Sequence, residues 1–167
     1  MTKTFYSDTF SRAFAELVLL EGDYSNDKYD NGGETRFGIS KRIYSNLDIK
    51  SLTIEKAKDI YYKDYWSAYN YDKIYHSEVA SKIFHTTVNT GAKQSHIILQ
   101  RALRSVGMRI VEDGIFGSET LKAVNKAPSK PLLAALRSEL AGFYRLIITK
   151  NPSQIKFQKG WLNRAYN

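Results

Sequence analysis

The chain reads Phe10-Ser11-Arg12-Ala13-Phe14-Ala15-Glu16-Leu17-Val18-Leu19-Leu20-Glu21, then Gly22-Asp23-Tyr24-Ser25-Asn26-Asp27-Lys28-Tyr29-Asp30-Asn31-Gly32-Gly33-Glu34-Thr35-Arg36-Phe37-Gly38. In the first part Phe10, Ala13, Phe14, Leu17 and Val18 recur at helical spacing behind the capping candidates Ser7 and Asp8. Glu21 falls three turns after Phe10, on the same apolar face, and Gly22 is a helix stop. The second part is rich in Gly, Asn and Asp, which predicts turns and a short hairpin around Asn31-Gly32-Gly33.

Helical patterns resume downstream. Thr53 is a cap candidate for a helix carrying Ile54, Ala57, Ile60 and Tyr61 and running to Tyr65-Trp66. Ser77 is the cap candidate for another through Val79, Ala80, Ile83, Phe84 and Val88, ending near Gly91. A third is expected over about residues 93–106, with Leu99, Ala102, Leu103 and Val106 inward and Gly107 as its stop. Asp113-Gly114-Ile115-Phe116-Gly117 reads as a turn, followed by a short helix to about Lys126. Pro131 suits the first turn of a helix bearing Leu132, Leu133, Leu136, Leu140, Phe143, Tyr144 and Ile147, with Pro152 at its end. A last segment holds Phe157, Trp161 and Leu162. The expected fold is mainly α, a lysozyme-like helical arrangement with a small irregular or β-hairpin segment after the first helix.

Composition narrows the chemistry. With 167 residues the chain supports one filled core or two small packed subdomains. It has no cysteine, which excludes disulfides, thiolate metal sites and cysteine nucleophiles. His76, His85 and His96 share no metal-ligand spacing, and no metal or organic cofactor is expected. Charge is uneven: residues 1–88 carry 12 Lys/Arg against 13 Asp/Glu, residues 89–167 carry 13 against 4. A basic half of this kind suits an anionic polymer or simply a solvated surface. No nucleic-acid reader motif is present, so no nucleic-acid partner is expected.

Glu21 is the residue whose position asks for a chemical account. A carboxyl on an apolar helical stripe, at the negative end of the helix, is pushed toward keeping its proton near neutral pH. Such an acid suits glycoside cleavage, which pairs a proton donor with a second carboxylate. Asp23, Asp27, Asp30 and Glu34 are the candidates for that partner, and all are equally explained as turn residues. Asp30 leads, because it precedes the flexible Asn31-Gly32-Gly33, and Thr35 beyond it carries a hydroxyl able to orient water. Tyr24, Asn26 and Phe37 are the candidate substrate contacts near Glu21. Tyr61, Tyr65 and Trp66, at helical spacing, read as core.

Glu21-Gly22-Asp23-Tyr24 and Asp30-Asn31-Gly32-Gly33-Glu34-Thr35-Arg36-Phe37-Gly38-Ile39 together resemble the signature of glycoside hydrolase family 108, which includes phage endolysins and secretion-associated bacterial muramidases. The resemblance continues in order through Leu52-Thr53, Tyr65-Trp66, Val88-Asn89-Thr90-Gly91, Leu99-Gln100-Arg101-Ala102-Leu103, Asp113-Gly114 and Gly160-Trp161-Leu162-Asn163-Arg164. It implies that Glu21 is the catalytic acid, and that the region from about Asn89 is a helical peptidoglycan-binding module. Phage-type lysozymes place an acid, an aspartate and a threonine in the same order, which by analogy adds Asp30 and Thr35. Asp23 stands where the family has glycine, Asn31 where it has proline, and His85 where it commonly has aspartate.

The expected function is therefore a bacteriolytic N-acetylmuramidase, with residues 1–88 catalytic and 89–167 binding, packed as one globular unit. A lytic transglycosylase and a non-catalytic wall-binding or secretion-accessory protein are the rivals. Peptidoglycan is the expected partner, held in part by Lys93 and Arg101, with Arg104 and Arg109 beside them. The N-terminus carries no apolar signal-peptide core, so synthesis in the (host) cytoplasm is expected. Action in the periplasm then follows delivery by a holin or export machinery, with no stable membrane insertion, as a monomer.

Overall fold

The computed structural model describes residues 5–21, 24–25 and 33–167, with only the backbone of Leu20 and Glu21. It is mainly helical with one small sheet after the first helix, the expected class. Its packing divides into two compact units, Met1–Asp72 and Lys73–Asn167.

In the first unit, helix α1 spans Asp8–Glu21. The Ser7 hydroxyl accepts from the Phe10 amide at 3.2 Å and so meets one of the unpaired donors of the first turn. Phe10, Ala13, Phe14 and Leu17 are buried and Val18 is half-buried. Helix α2, Ile54–Tyr61, is capped as expected: the Thr53 side chain accepts from the Lys56 amide. The helix does not continue as α to Trp66. Residues Tyr62–Ser67 form a π-helical turn, a widening that turns Trp66 inward, its ring 5.4 Å from that of Phe10. Tyr61 and Trp66 are core, as their spacing implies, whereas Tyr65 is half-buried.

The sheet is antiparallel in the order β1 (Tyr24–Ser25), β2 (Thr35–Arg36), β3 (Ile39–Ser40). Tyr24 pairs with Arg36 and Ser25 with Thr35; Thr35 in turn pairs with Ser40 and Arg36 with Ile39. The turn expected at Asn31-Gly32-Gly33 lies, except for Gly33, outside the described residues. A second hairpin, at Phe37-Gly38, was not expected. Both residues have positive φ, 52° and 77°, which matches the twist of a two-residue hairpin. A phenylalanine there is strained, and the Tyr61 hydroxyl holds it by donating to the Phe37 carbonyl oxygen at 3.0 Å.

In the second unit, α3 (Ser77–Thr90), α4 (Ala92–Ser105), α5 (Ser118–Lys126), α6 (Ser129–Lys150) and α7 (Gln158–Tyr166) follow in order. Helix α4 packs on α3, α5 and α6, and α6 on α7. Ile83, Phe84, Ile98, Leu99, Leu103, Leu132, Leu136 and Leu140 fill the core, each such side chain contributing about 1.5–3 kcal/mol on burial. Ser77 is not the cap of α3: His76 holds the cap position, without a side-chain bond, and Ser77 is the first helical residue. Pro131 sits in the first turn of α6, and Pro152 opens a 3₁₀ segment, Pro152–Phe157, beyond its end. Among the described residues no helix is long and apolar enough to cross a membrane.

Candidate functional site

In the first unit the chain runs from the last residue of α1, Glu21, into β1, so the sheet is the structure that follows the proposed acid. Asp23, Asn26, Asp27 and Asp30 lie outside the described residues. Glu34, another carboxyl candidate, accepts a hydrogen bond of 2.9 Å from the Tyr24 hydroxyl. That contact ties the exposed Tyr24 ring to the start of β2. The Thr35 hydroxyl donates to the Gly33 carbonyl oxygen at 3.2 Å, so its proton is engaged while its lone pairs stay available to a donor. Phe37 lies under the Arg36 guanidinium, 5.1 Å from the ring centroid. Arg36 also donates to the Lys50 carbonyl oxygen at 2.6 Å. Thr35 and Phe37 thus share β2 and its turn, while Tyr24 pairs with Arg36 and Ser25 with Thr35 across the register.

The structure adds a cluster that sequence reasoning missed. The Tyr44 hydroxyl donates to Asp64 at 2.9 Å, and Tyr65 stacks tilted on Tyr61 at 5.5 Å. Burial, with Tyr65 and Asp64 beside it, pushes the Tyr44 phenol well above its usual range. Burial likewise raises Tyr65. Both phenols are therefore neutral at any physiological pH. Through Tyr61 and its bond to Phe37, this wall of phenols is tied to the β2–β3 hairpin. Tyr44 is twenty residues from Asp64, and no local pattern joins it to the helical Tyr61, Asp64 and Tyr65.

In the second unit, Arg101 and Arg104 both bind Glu112, at 3.0 and 2.9 Å. The expected substrate contact Arg101 is thus part of a surface ion pair, the kind worth little to stability and easily exchanged for another anion. Lys93 is exposed, and its stem packs under Gly114. His96 is buried with Nδ1 3.2 Å from the Gly114 carbonyl oxygen; burial lowers its pKa, so the neutral ring supports the loop. Among the described residues no group of His, Asp or Glu is arranged to hold a metal.

Residues 14–91 match the family model described as Glycosyl hydrolase 108. That segment is similar to the glycosyl hydrolase 108 family, whose model it matches from the middle of α1 to the end of α3. Residues 94–166 match a second model, described as Predicted Peptidoglycan domain. The two matches meet at Gly91, the break between α3 and α4, whereas the packing units meet at residue 72. Among solved structures, "Structure of Brucella abortus SagA" is similar over 94% of this chain and 89% of that one, at 25% identity and a TM-score of 0.77. A search of curated proteins gives no match. The chain therefore joins a segment that matches a glycosyl hydrolase family to one that matches a peptidoglycan domain, and peptidoglycan is the polymer it hydrolyses or binds.

Proposed function

We propose that the chain is an N-acetylmuramidase that hydrolyses the β-1,4 bond between N-acetylmuramic acid and N-acetylglucosamine. The carrying observation is Glu21 as the final residue of α1, on a helix with a buried apolar stripe, inside the matched hydrolase segment. The carbonyl end of a helix disfavours ionisation of a carboxyl, which suits a proton donor to the glycosidic oxygen. Asp30 is the partner that stabilises the cation-like centre or activates water, and Thr35 positions that water. Tyr24, Asn26 and Phe37 contact the sugars. Residues 1–88 carry catalysis and 89–167 hold the polymer. The enzyme acts on the wall in the periplasm after delivery through a holin or export route.

Digestion of purified sacculi by wild type and Glu21→Gln, read by mass spectrometry, tests this. Wild type should release reducing muramic ends, and the variant should be slower by about 10²–10⁴-fold. Equal digestion by both removes Glu21 from the mechanism. Products with 1,6-anhydro ends mean a lytic transglycosylase, and no digestion by either means a wall-binding protein without catalysis.

A further inference from the structure

In the second unit, residues 108–112 link α4 to α5 and belong to no helix or strand. From Arg109 to Glu112 no backbone N–H or C=O has a hydrogen-bond partner among the described residues. An unpaired stretch of main chain is a template on which another extended chain pairs. Two grooves share this stretch. One, of about 690 Å³, adds Arg104, Gly107 and Met108 to its lining. The other, of about 380 Å³, sets Arg109, Ile110 and Val111 against Gln100, the 113–117 turn and the first turn of α5, with Asp113 and Glu119 in its lining.

The lining has a definite chemistry. Val111 and Ile115 are 72% and 64% exposed, so the grooves have apolar lips. Arg109 lines both grooves, and no ion pair or hydrogen bond engages its side chain among the described residues, unlike Arg101 and Arg104. No aromatic ring lines either groove. Pyranose rings are held on flat aromatic faces, so this lining does not suit a glycan.

The far wall is built in advance. Gln100, buried, accepts from the Gly114 amide at 2.9 Å and donates to Asp113 at 2.8 Å and to the Ile115 carbonyl oxygen at 3.1 Å. Asp113 also accepts from the Ile115 amide at 2.8 Å, and the Thr120 hydroxyl donates to the Ile115 carbonyl oxygen at 3.1 Å. Ile115 is thus presented on a loop tied to α4 and α5. A rigid wall spares a ligand the cost of ordering it.

We propose that this groove pair binds the stem peptide of peptidoglycan, a short extended chain with free carboxylates and alanine methyls, and not the sugar strand. The main chain of residues 109–112 pairs with the peptide backbone, Arg109 takes a carboxylate, and Val111 and Ile115 cover the methyls. The proposal rests on the reading that the chain acts on peptidoglycan.

The test measures retention of the full chain, in the cold, on intact sacculi and on sacculi stripped of stem peptides by an amidase. Wild type should be retained about ten-fold less by the stripped glycan, and Arg109→Glu and Val111→Asp should lose about ten-fold on intact sacculi. Both positions are exposed, and unchanged circular dichroism melting excludes unfolding as the cause. A synthetic stem tetrapeptide should shift the amide resonances of residues 109–112. Equal retention on stripped glycan, undiminished retention by both variants, or unmoved resonances overturns the proposal. A wild type retained by neither preparation overturns the peptidoglycan reading and the proposal with it. Muropeptide release, scored separately, tells a failed hydrolase from a failed peptide site.

Discussion

The Nζ of Lys82, a residue 6% exposed on α3, donates to the backbone oxygen of Arg164 in the last turn of α7 across 2.7 Å. Arg137 of α6 approaches the same helix end and donates to the Asn167 oxygen at 3.2 Å. Both cations sit at backbone oxygens at or just beyond the C-terminal end of α7, where the helix dipole favours positive charge.

Burial, reinforced by Arg137, lowers the Lys82 pKa from 10.5 to about 8. An amine with a lowered folded pKa binds fewer protons in the fold than in the unfolded chain between pH 8 and 10.5. Stability contributed by this group therefore rises with pH across that window. The stability of wild type minus that of Lys82→Met should increase by about 3 kcal/mol from pH 7 to pH 11. Urea titrations at several pH values measure it, and a flat difference would show that Lys82 keeps its proton.

Phe10 is fully buried and its ring meets those of Tyr6, Phe14, Tyr62 and Trp66 at 5.1–6.1 Å. Phe10→Ala should cost about 3–5 kcal/mol, because the fused aromatic cluster cannot collapse into the void. Chemical denaturation reads this loss directly.

Gly114 has φ +75°, and a Cβ there would sit 2.9 Å from the Lys93 carbonyl oxygen. Gly114→Ala should destabilise the chain by about 1–3 kcal/mol, through backbone strain and that backbone clash. The melting temperature checks it. Faster exchange of the Gly114 amide, which Gln100 holds, should accompany the loss.

Among the acids after α1, Glu34 is engaged by Tyr24. Asp30→Asn should slow sacculus digestion about 100-fold, whereas Glu34→Gln should stay within about three-fold of wild type. The reverse order in muropeptide release would move the partner role to Glu34.

Much of this was legible in the sequence, for reasons of locality. Phe10, Ala13, Phe14 and Leu17 reveal α1 through their spacing, and Ser7 and Thr53 are recognisable caps because a cap acts on amides two or three residues away. The π-helical turn after Tyr61 was not legible, since its aromatic spacing also suits an α-helix; the demand of the Phe10 cluster for Trp66 decides it. Phe37-Gly38 carries no strong hairpin signal, and the distant Tyr61 hydroxyl stabilises it.

The sequence by itself determined the class of the fold, the order of its helices and the place of Glu21 at the end of the first one. These depend on residues a turn or two apart. Tertiary structure alone decided that Lys82 is buried against α7, that Tyr44 and Asp64 meet, that Glu112 occupies Arg101 and Arg104, and that Arg109 stands beside unpaired main chain. Each of these depends on packing between segments distant in sequence, where burial and charge act through space and leave no periodic mark.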